Sequence, residues 1–165
     1  MKFIKEKYTK ITSKWLKSYL EKNYSKDYNI EILVPKSNIS KINNNSIKKI
    51  SNYSLLDFSP DILGILTSKK TKDVSLVLLN RSLNPISLKD IGEMNIYSSI
   101  INPKLAFIVS SKGLPNEVNS LLLNDLTCNS LLNYNNNGSI IILKIDEWGR
   151  VDNKVTFPRK FKDVF

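Results

Sequence analysis

The chain has 165 residues, 41% of them apolar, which suffices for one hydrophobic core, is short for two domains, and excludes extensive disorder. It has no histidine and a single cysteine, Cys128, which excludes an internal disulfide, most zinc sites and every catalytic triad that needs histidine. The net charge is +10, and residues 1–72 carry 15 lysines against 6 acidic residues.

The excess positive charge belongs to the first part of the chain. Residues 73–165 carry 10 basic and 9 acidic residues, so they are almost neutral. A basic region of this kind is typical of proteins that bind DNA or RNA, because each neutralised phosphate releases condensed counterions. The alternative is a bias in composition, since Lys, Asn and Ile are abundant throughout. Charge alone leaves both interpretations open.

From the sequence we expect neither a membrane segment nor an export signal. No apolar run reaches the roughly 18 residues that cross a bilayer. The N-terminus is charged throughout and lacks the apolar stretch of a signal peptide. We therefore expect a cytoplasmic protein without a membrane partner.

The first predicted elements are a helix and a strand. Apolar residues at three- and four-residue spacings predict an amphipathic helix over residues 3–22, with lysines on its other face. Residues 29–34 predict a strand that ends at Pro35. Residues 36–54 are polar and rich in asparagine, and they predict a loop that includes one short helix or an irregular strand. The isoleucines of this loop are its expected anchors to the core: Ile39, Ile42, Ile47 and Ile50.

A hairpin and a capped helix follow. The apolar runs at residues 61–66 and 74–79 predict two strands, joined by the charged turn at residues 69–73. Ser87 is a plausible N-cap for a helix over residues 88–101, and Asp90 is favourably placed in its first turn.

The last third of the chain alternates between strands and helices. It predicts a strand at residues 105–109, a helix at 115–124, a turn at 133–138, a strand at 139–145 and a partly basic C-terminal tail. Continuous apolar runs separated by helices are typical of a sheet covered on both faces. The predicted fold is therefore α/β, one domain over residues 1–165 with a mixed central sheet of four to five strands flanked by helices.

Three features of this pattern carry potential chemistry. Asp61 follows Pro60 at the start of a strand, where a carboxylate can hold a magnesium ion, although Ser-Pro-Asp is also an ordinary turn. The neighbouring strand ends in Leu79-Asn80-Arg81. The next helix carries Glu93 and Tyr97.

The succession of these features over about residues 28–145 resembles the core of the PD-(D/E)xK nuclease (restriction endonuclease-like) superfamily. In that family a Pro-Asp strand precedes a strand ending in Glu-x-Lys, a helix that often carries Gln-x-x-x-Tyr, and a closing strand. The resemblance implies Asp61 as a ligand of Mg²⁺ and Tyr97 as the helix tyrosine, with Glu93 where the glutamine stands. An active member would be a magnesium-dependent phosphodiesterase that cuts DNA or RNA.

The sequence departs from the family motif at its centre. Leu79 stands in place of the metal-binding glutamate, and Arg81 in place of the lysine. Arginine stays protonated, so it can clamp a phosphate but cannot act as a general base. Some members carry the glutamate on the following helix, and Glu93, 12 residues after Arg81, could complete a metal site with Asp61. A degenerate nuclease that binds without cleaving is the favoured interpretation, and an active enzyme is the alternative.

The expected phosphate contacts are basic residues on one face of the fold, with Arg81 among them. The others are Lys69, Lys70, Lys72 and Lys112. Trp15 and Trp148 are expected at core or edge positions rather than as platforms for bases. The other functional class left open is a scaffold or protein-interaction subunit of a larger complex, and a homodimer is also compatible with the sequence.

Overall fold

We analysed a computed structural model of the protein, which describes residues 2–135 and 138–165. The helices are α1 (Lys2–Tyr24), α2 (Leu88–Ile101), α3 (Asn116–Leu122) and α4 (Asp125–Leu132). The strands are β1 (Tyr28–Leu33), β2 (Ile62–Ser68), β3 (Val74–Ser82), β4 (Leu105–Ser110), β5 (Asn133–Tyr134) and β6 (Gly138–Lys144). The turn predicted at residues 133–138 includes Asn136 and Asn137, which lie outside the described residues.

The strands form one mixed sheet in the order β1-β2-β3-β4-β6-β5. The first three strands are antiparallel, β3, β4 and β6 are parallel, and β5 is antiparallel to β6. The prediction of a mixed α/β sheet is confirmed, but the count of four to five strands is wrong, because the described residues contain six. The additional strand is β5, two residues of the predicted turn that pair with Gly138 and Ser139.

The sheet is buried on both faces. On one face, Leu16 and Leu20 of α1 pack with side chains such as Ile62 and Leu79. On the other face, α2, α3 and α4 cover side chains such as Leu63 and Leu78. Because successive side chains of a strand point to opposite faces, the continuous apolar runs of β2 and β3 supply both cores.

The segment between β1 and β2 is a loop with three short 3₁₀-helical turns. These turns are Ile39–Lys41, Ile47–Lys49 and Tyr53–Leu55. Ile39 and Ile47 are fully buried, and Ile42 and Ile50 pack against the same core as half-buried side chains. The predicted isoleucine anchors are therefore confirmed, because they are what holds this polar segment against the sheet.

The boundaries of the later helices follow local capping. Ser87 and Asp90 form a reciprocal capping box at the start of α2, as the sequence predicts. The helix predicted at residues 115–124 is shorter, and a further helix, α4, follows it. The side chain of Asn124 accepts a hydrogen bond from the N–H of Thr127 and so caps α4. The predicted C-terminal tail also returns to the sheet, where Phe157 is fully buried.

Within the described residues no helix is both long and apolar enough to cross a membrane.

Alanine substitutions at Gly64 and Gly92 compare a closely packed site on β2 with an open site on α2. A Cβ atom at Gly64 would lie 3.0 Å from Cβ of Val77, directly opposite on β3, and 3.2 Å from Cδ1 of Leu20. Opposed Cβ atoms normally lie about 4.5–5.5 Å apart, so we expect Gly64→Ala to lower the free energy of unfolding by about 1–3 kcal/mol. At Gly92, on the exposed side of α2, an added Cβ meets nothing within 4 Å. There alanine should stabilise the protein by about 0.5–1 kcal/mol.

Urea denaturation of both variants and the unmodified protein measures this difference. If Gly64→Ala proves as stable as Gly92→Ala, the close approach of Val77 and Leu20 to Gly64 is contradicted.

Candidate functional site

The antiparallel register of β2 and β3 brings Asp61 against Arg81. Ile62 pairs with Leu79, so the residue that precedes β2 meets the last residues of β3. Oδ2 of Asp61 accepts a hydrogen bond of 2.7 Å from the backbone N–H of Arg81. Oδ1 accepts a second one, of 2.8 Å, from Nη2 of the Arg81 guanidinium. The predicted proximity of Asp61 to β3 is thus confirmed.

This ion pair is largely removed from water. The side chain of Arg81 is 4% exposed and that of Asp61 27% exposed. A third hydrogen bond joins Asp61 to β3, since the backbone N–H of Asp61 donates to Oδ1 of Asn80 at 3.3 Å. A buried guanidinium needs a counter-charge at close range, and Asp61 provides it.

Asp61 and Arg81 line an open crevice of about 480 Å³ between α1 and the start of β2. Glu6 and Thr9 of α1 line the same crevice, together with Lys36 from the segment after β1. Glu6 is a second carboxylate at the site that the sequence analysis did not single out. The sequence placed Glu6 in the helix predicted at residues 3–22, but it did not show which part of the sheet this helix packs against.

Leu79, which stands where the resemblance implies a metal-binding glutamate, is part of the core. Leu79 is fully buried and packs in the same cluster as Leu16 and Leu20 of α1. Strand β3 therefore supplies no acidic side chain beside Asp61, and the Asp61 carboxylate is already paired with the guanidinium of Arg81. A cation at 2.8 Å opposes the binding of a divalent ion, so the residues present do not fit a magnesium site. In the described part of the chain, no three acidic or cysteine side chains are grouped closely enough to hold a metal.

Glu93 and Tyr97 lie on α2, whose packing face belongs to the other side of the sheet. Glu93 is exposed. The ring of Tyr97 stacks on Phe58 with a centroid separation of 4.2 Å and an angle of 20° between the planes. The described side chains that line the Asp61 crevice come from α1, the segment after β1, residues 59–61 and Arg81, and none of them comes from α2.

The predicted phosphate contacts occupy two ends of the sheet. Lys69, Lys70 and Lys72 lie in the turn between β2 and β3, whereas Lys112 follows β4 at the end that holds Arg81. The paired strands separate these ends by roughly 20 Å. These basic residues thus lie at two places along the strands, and contact of all of them with phosphate on one face stays a prediction.

Helix α1 connects these two ends along one face. Glu6 and Thr9 lie at the crevice, and the residues that follow α1 contact the hairpin, where Nζ of Lys69 donates to the carbonyl of Ser25 at 2.7 Å. Exposed lysines occur along α1 from residue 7 onward: Lys7, Lys10, Lys14, Lys17 and Lys22. We call these five lysines, together with Lys69, Lys70 and Lys72, the basic ridge. From Lys7 to Lys22 its helical part extends along about 23 Å.

A second crevice, of about 570 Å³, lies on the same edge of the sheet. It is lined by Tyr8 of α1 and by residues that follow β3, β4 and β6, where the carboxyl ends of the parallel strands meet. The hydroxyl of Tyr8 donates to the carbonyl of Ile145 at 3.1 Å. Burial raises the pKa of Tyr8, and the nearby charge of Arg81 opposes that shift. Tyr8 thus stands between the two crevices as a neutral hydrogen-bond donor.

Removing the counter-charge of Arg81 should destabilise the whole fold. We expect Asp61→Ala to lower the free energy of unfolding by about 3 kcal/mol, because it leaves a buried guanidinium without its carboxylate. The matched control is Asp73→Ala in the exposed hairpin turn, which should change stability by less than about 0.5 kcal/mol. Chemical denaturation measures both values, and equal stability of the two variants would contradict the structural role of the pair.

The described geometry brings together Asp61, Arg81 and Glu6 at one crevice, next to the basic ridge, and it keeps Glu93 and Tyr97 on the helix of the opposite layer. Compared with protein-family models, curated proteins and solved structures, the chain matches none.

Proposed function

We propose that this protein binds DNA or RNA without cleaving it, through a PD-(D/E)xK-like fold whose catalytic centre is closed by an ion pair. The observation that carries the proposal is the Arg81 guanidinium, held 2.8 Å from Asp61 beside a helix with five exposed lysines. An exposed basic surface on this side of the molecule supports binding, and the ion pair of Asp61 with Arg81 speaks against hydrolysis there.

The order of elements supports the fold part of this proposal. Pro60-Asp61 directly precedes β2, and Arg81 lies in the antiparallel neighbour β3, as the resemblance implies. Helix α2 then crosses to β4, which is parallel to β3. These elements follow the succession of the family's motifs, with Leu79 and Arg81 in place of two of its residues.

The basic ridge supports the nucleic-acid part. Its lysines are exposed and extend along about 23 Å of α1 and over the hairpin turn, a length that suits an extended polyanion better than a small anionic ligand. Each phosphate that such a lysine neutralises releases a counterion, so binding should weaken steeply as salt is added. Among the lysines of α1, Lys7 and Lys17 form exposed ion pairs, at 3.9 and 3.8 Å, which contribute little and exchange easily for phosphate contacts.

The absence of cleavage follows from the chemistry of the crevice. Metal-dependent hydrolysis needs an ion held by acidic oxygens and a group that activates water. Here Asp61 is bonded to Arg81, position 79 is a buried leucine, and a guanidinium cannot take a proton from water. Glu93 could contribute only by reaching the crevice from α2, which covers the other face of the sheet.

A scaffold or protein-interaction subunit is the second candidate, because one helical layer exposes large apolar side chains. Ile96 and Ile100 of α2 are 62% and 53% exposed, and Leu126 of α4 is 83% exposed. Helices α2 and α4 pack against each other, so these side chains belong to one layer. Binding through such a surface would be nearly independent of salt, which separates it from binding to phosphates.

Alanine variants with equal changes in charge test where nucleic acid binds. We expect the triple variant Lys10, Lys14, Lys17→Ala and the triple variant Lys69, Lys70, Lys72→Ala each to weaken binding to all sequences about equally. Each should also reduce the slope of log K against log salt by about 3, one for each phosphate that is no longer neutralised. The control, Lys41, Lys48, Lys49→Ala, removes the same charge from exposed positions of the loop on the opposite layer and should change the slope by less than about 1.

Fluorescence anisotropy with a labelled oligonucleotide at several salt concentrations measures these slopes. Three equal slopes would mean that net charge alone causes binding, and no binding to duplex or single strand at low salt would contradict the proposed function.

Cleavage assays test the closed catalytic centre. With Mg²⁺ we expect no cleavage of plasmid or oligonucleotide, and with Mn²⁺, which tolerates imperfect octahedral sites better, we expect none either. Gel electrophoresis of the products is sufficient. Cleavage with Mn²⁺ that disappears in both Asp61→Ala and Glu93→Ala would instead establish an active site with Glu93 as a migrated ligand.

A further inference from the structure

The turn after β6 is built to hold Trp148 at the surface. Oδ1 of Asp146 accepts hydrogen bonds of 2.9 Å from the backbone N–H groups of Trp148 and Arg150. Oδ2 of Asp146 accepts a third, of 2.7 Å, from Nε of Arg150. Gly149 has φ +85°, a conformation that glycine adopts without strain, and Ile145 and Val151 bridge the base of the turn. Trp148 is thus fixed at the tip by its backbone and by its neighbours.

The indole itself remains open to solvent. Trp148 is 70% exposed, so of the two positions expected for it the core is excluded, whereas Trp15 is half-buried and packs edge-on against Phe107. The guanidinium of Arg150 lies 4.9 Å from the centre of the indole ring and forms a cation–π contact. Because the turn holds its backbone and Arg150 contacts its ring, Trp148 loses less entropy on binding than a side chain on a mobile segment would.

Trp148 also lies between two hollows, each of which is lined by one lysine of α1. It lines the second crevice, where Lys7 is a neighbour, and an adjoining hollow of about 360 Å³, where Lys14 is a neighbour. Both lysines belong to the basic ridge. The acidic residues of the turn are themselves paired, Asp146 with Arg150 at 2.7 Å and Glu147 with Lys7 at 3.9 Å, so they leave no excess of negative charge next to the indole.

We infer that Trp148 is a stacking platform for an unpaired base, and that the protein therefore prefers single-stranded to duplex nucleic acid. This inference rests on the function proposed above. Bases in a duplex are stacked on one another, whereas those of a single strand can stack on an exposed aromatic ring while its phosphates follow a basic surface. Lys14 and Trp148 line the same hollow, so a strand whose phosphates contact α1 brings its bases within reach of the indole.

The test compares single strands and duplexes of about 20 nucleotides, a length that exceeds the roughly 4–16 nucleotides of a typical single-strand site. Oligothymidylate, its RNA counterpart and a DNA duplex of equal length are titrated against the unmodified protein, Trp148→Ala and Trp148→Phe. We expect Trp148→Ala to weaken single-strand binding about 5- to 150-fold, the range for loss of one base–aromatic stack. Duplex affinity and the salt slope should stay unchanged, because no charge is removed, and Trp148→Phe should restore most of the single-strand affinity.

The matched control is Leu55→Ala, since Leu55 is 73% exposed but lies in the loop that packs on the other face of the sheet. It should affect neither affinity. A second measurement uses Trp15→Phe, which leaves Trp148 as the only tryptophan, and its fluorescence should be quenched by single strands but not by the duplex.

The outcomes separate the two claims. If duplex and single strand bind and Trp148→Ala changes neither, the stacking platform is refuted and the proposed function stands. If no nucleic acid binds at low salt, both are refuted. Equal losses of affinity for DNA and RNA single strands in Trp148→Ala, together with quenching, support the stacking platform. They would also show that it does not distinguish deoxyribose from ribose.

Discussion

The ion pair between Asp61 and Arg81 determines the structure and the chemistry of the crevice between α1 and the start of β2. It depends on the register of β2 and β3, because a slip of one residue would turn Arg81 to the opposite face. In the observed register the guanidinium points under α1, where it is 4% exposed and needs a carboxylate. The same pair forms the wall of the crevice, and its charge acts on Tyr8, which connects α1 to the end of β6.

Under the proposed function, the Asp61–Arg81 pair stands where an active nuclease would hold its metal ion. The exposed lysines of α1 take no part in this pair. In the proposed function, binding therefore does not depend on cleavage, since the proposed binding surface consists of α1, the hairpin and the turn that carries Trp148.

The sequence predicted those parts of the structure that depend on local patterns. The apolar runs of β2 and β3, the cap at Ser87 and the proximity of Asp61 to β3 are confirmed. Helix α4 was missed although Asn124 is a good N-cap, and β5 was missed because two residues carry no periodicity. The face to which each helix packs depends on the whole topology, so neither Glu6 at the crevice nor Glu93 on the opposite layer was predictable. The exposure of Trp148 is set by hydrogen bonds to Asp146, which composition does not reveal.

The most direct test of the account is to map bound nucleic acid on the protein by NMR. In ¹H–¹⁵N spectra recorded during titration with a single-stranded oligonucleotide, we expect the largest shifts at the backbone amides of α1, the hairpin turn and the residues next to Arg81, and at the indole N–H of Trp148. Amides around Ile96, Ile100 and Leu126 should remain unchanged. Shifts confined to that helical layer, or none at low salt, would contradict a nucleic-acid surface on α1 and would favour the role of a protein-interaction subunit.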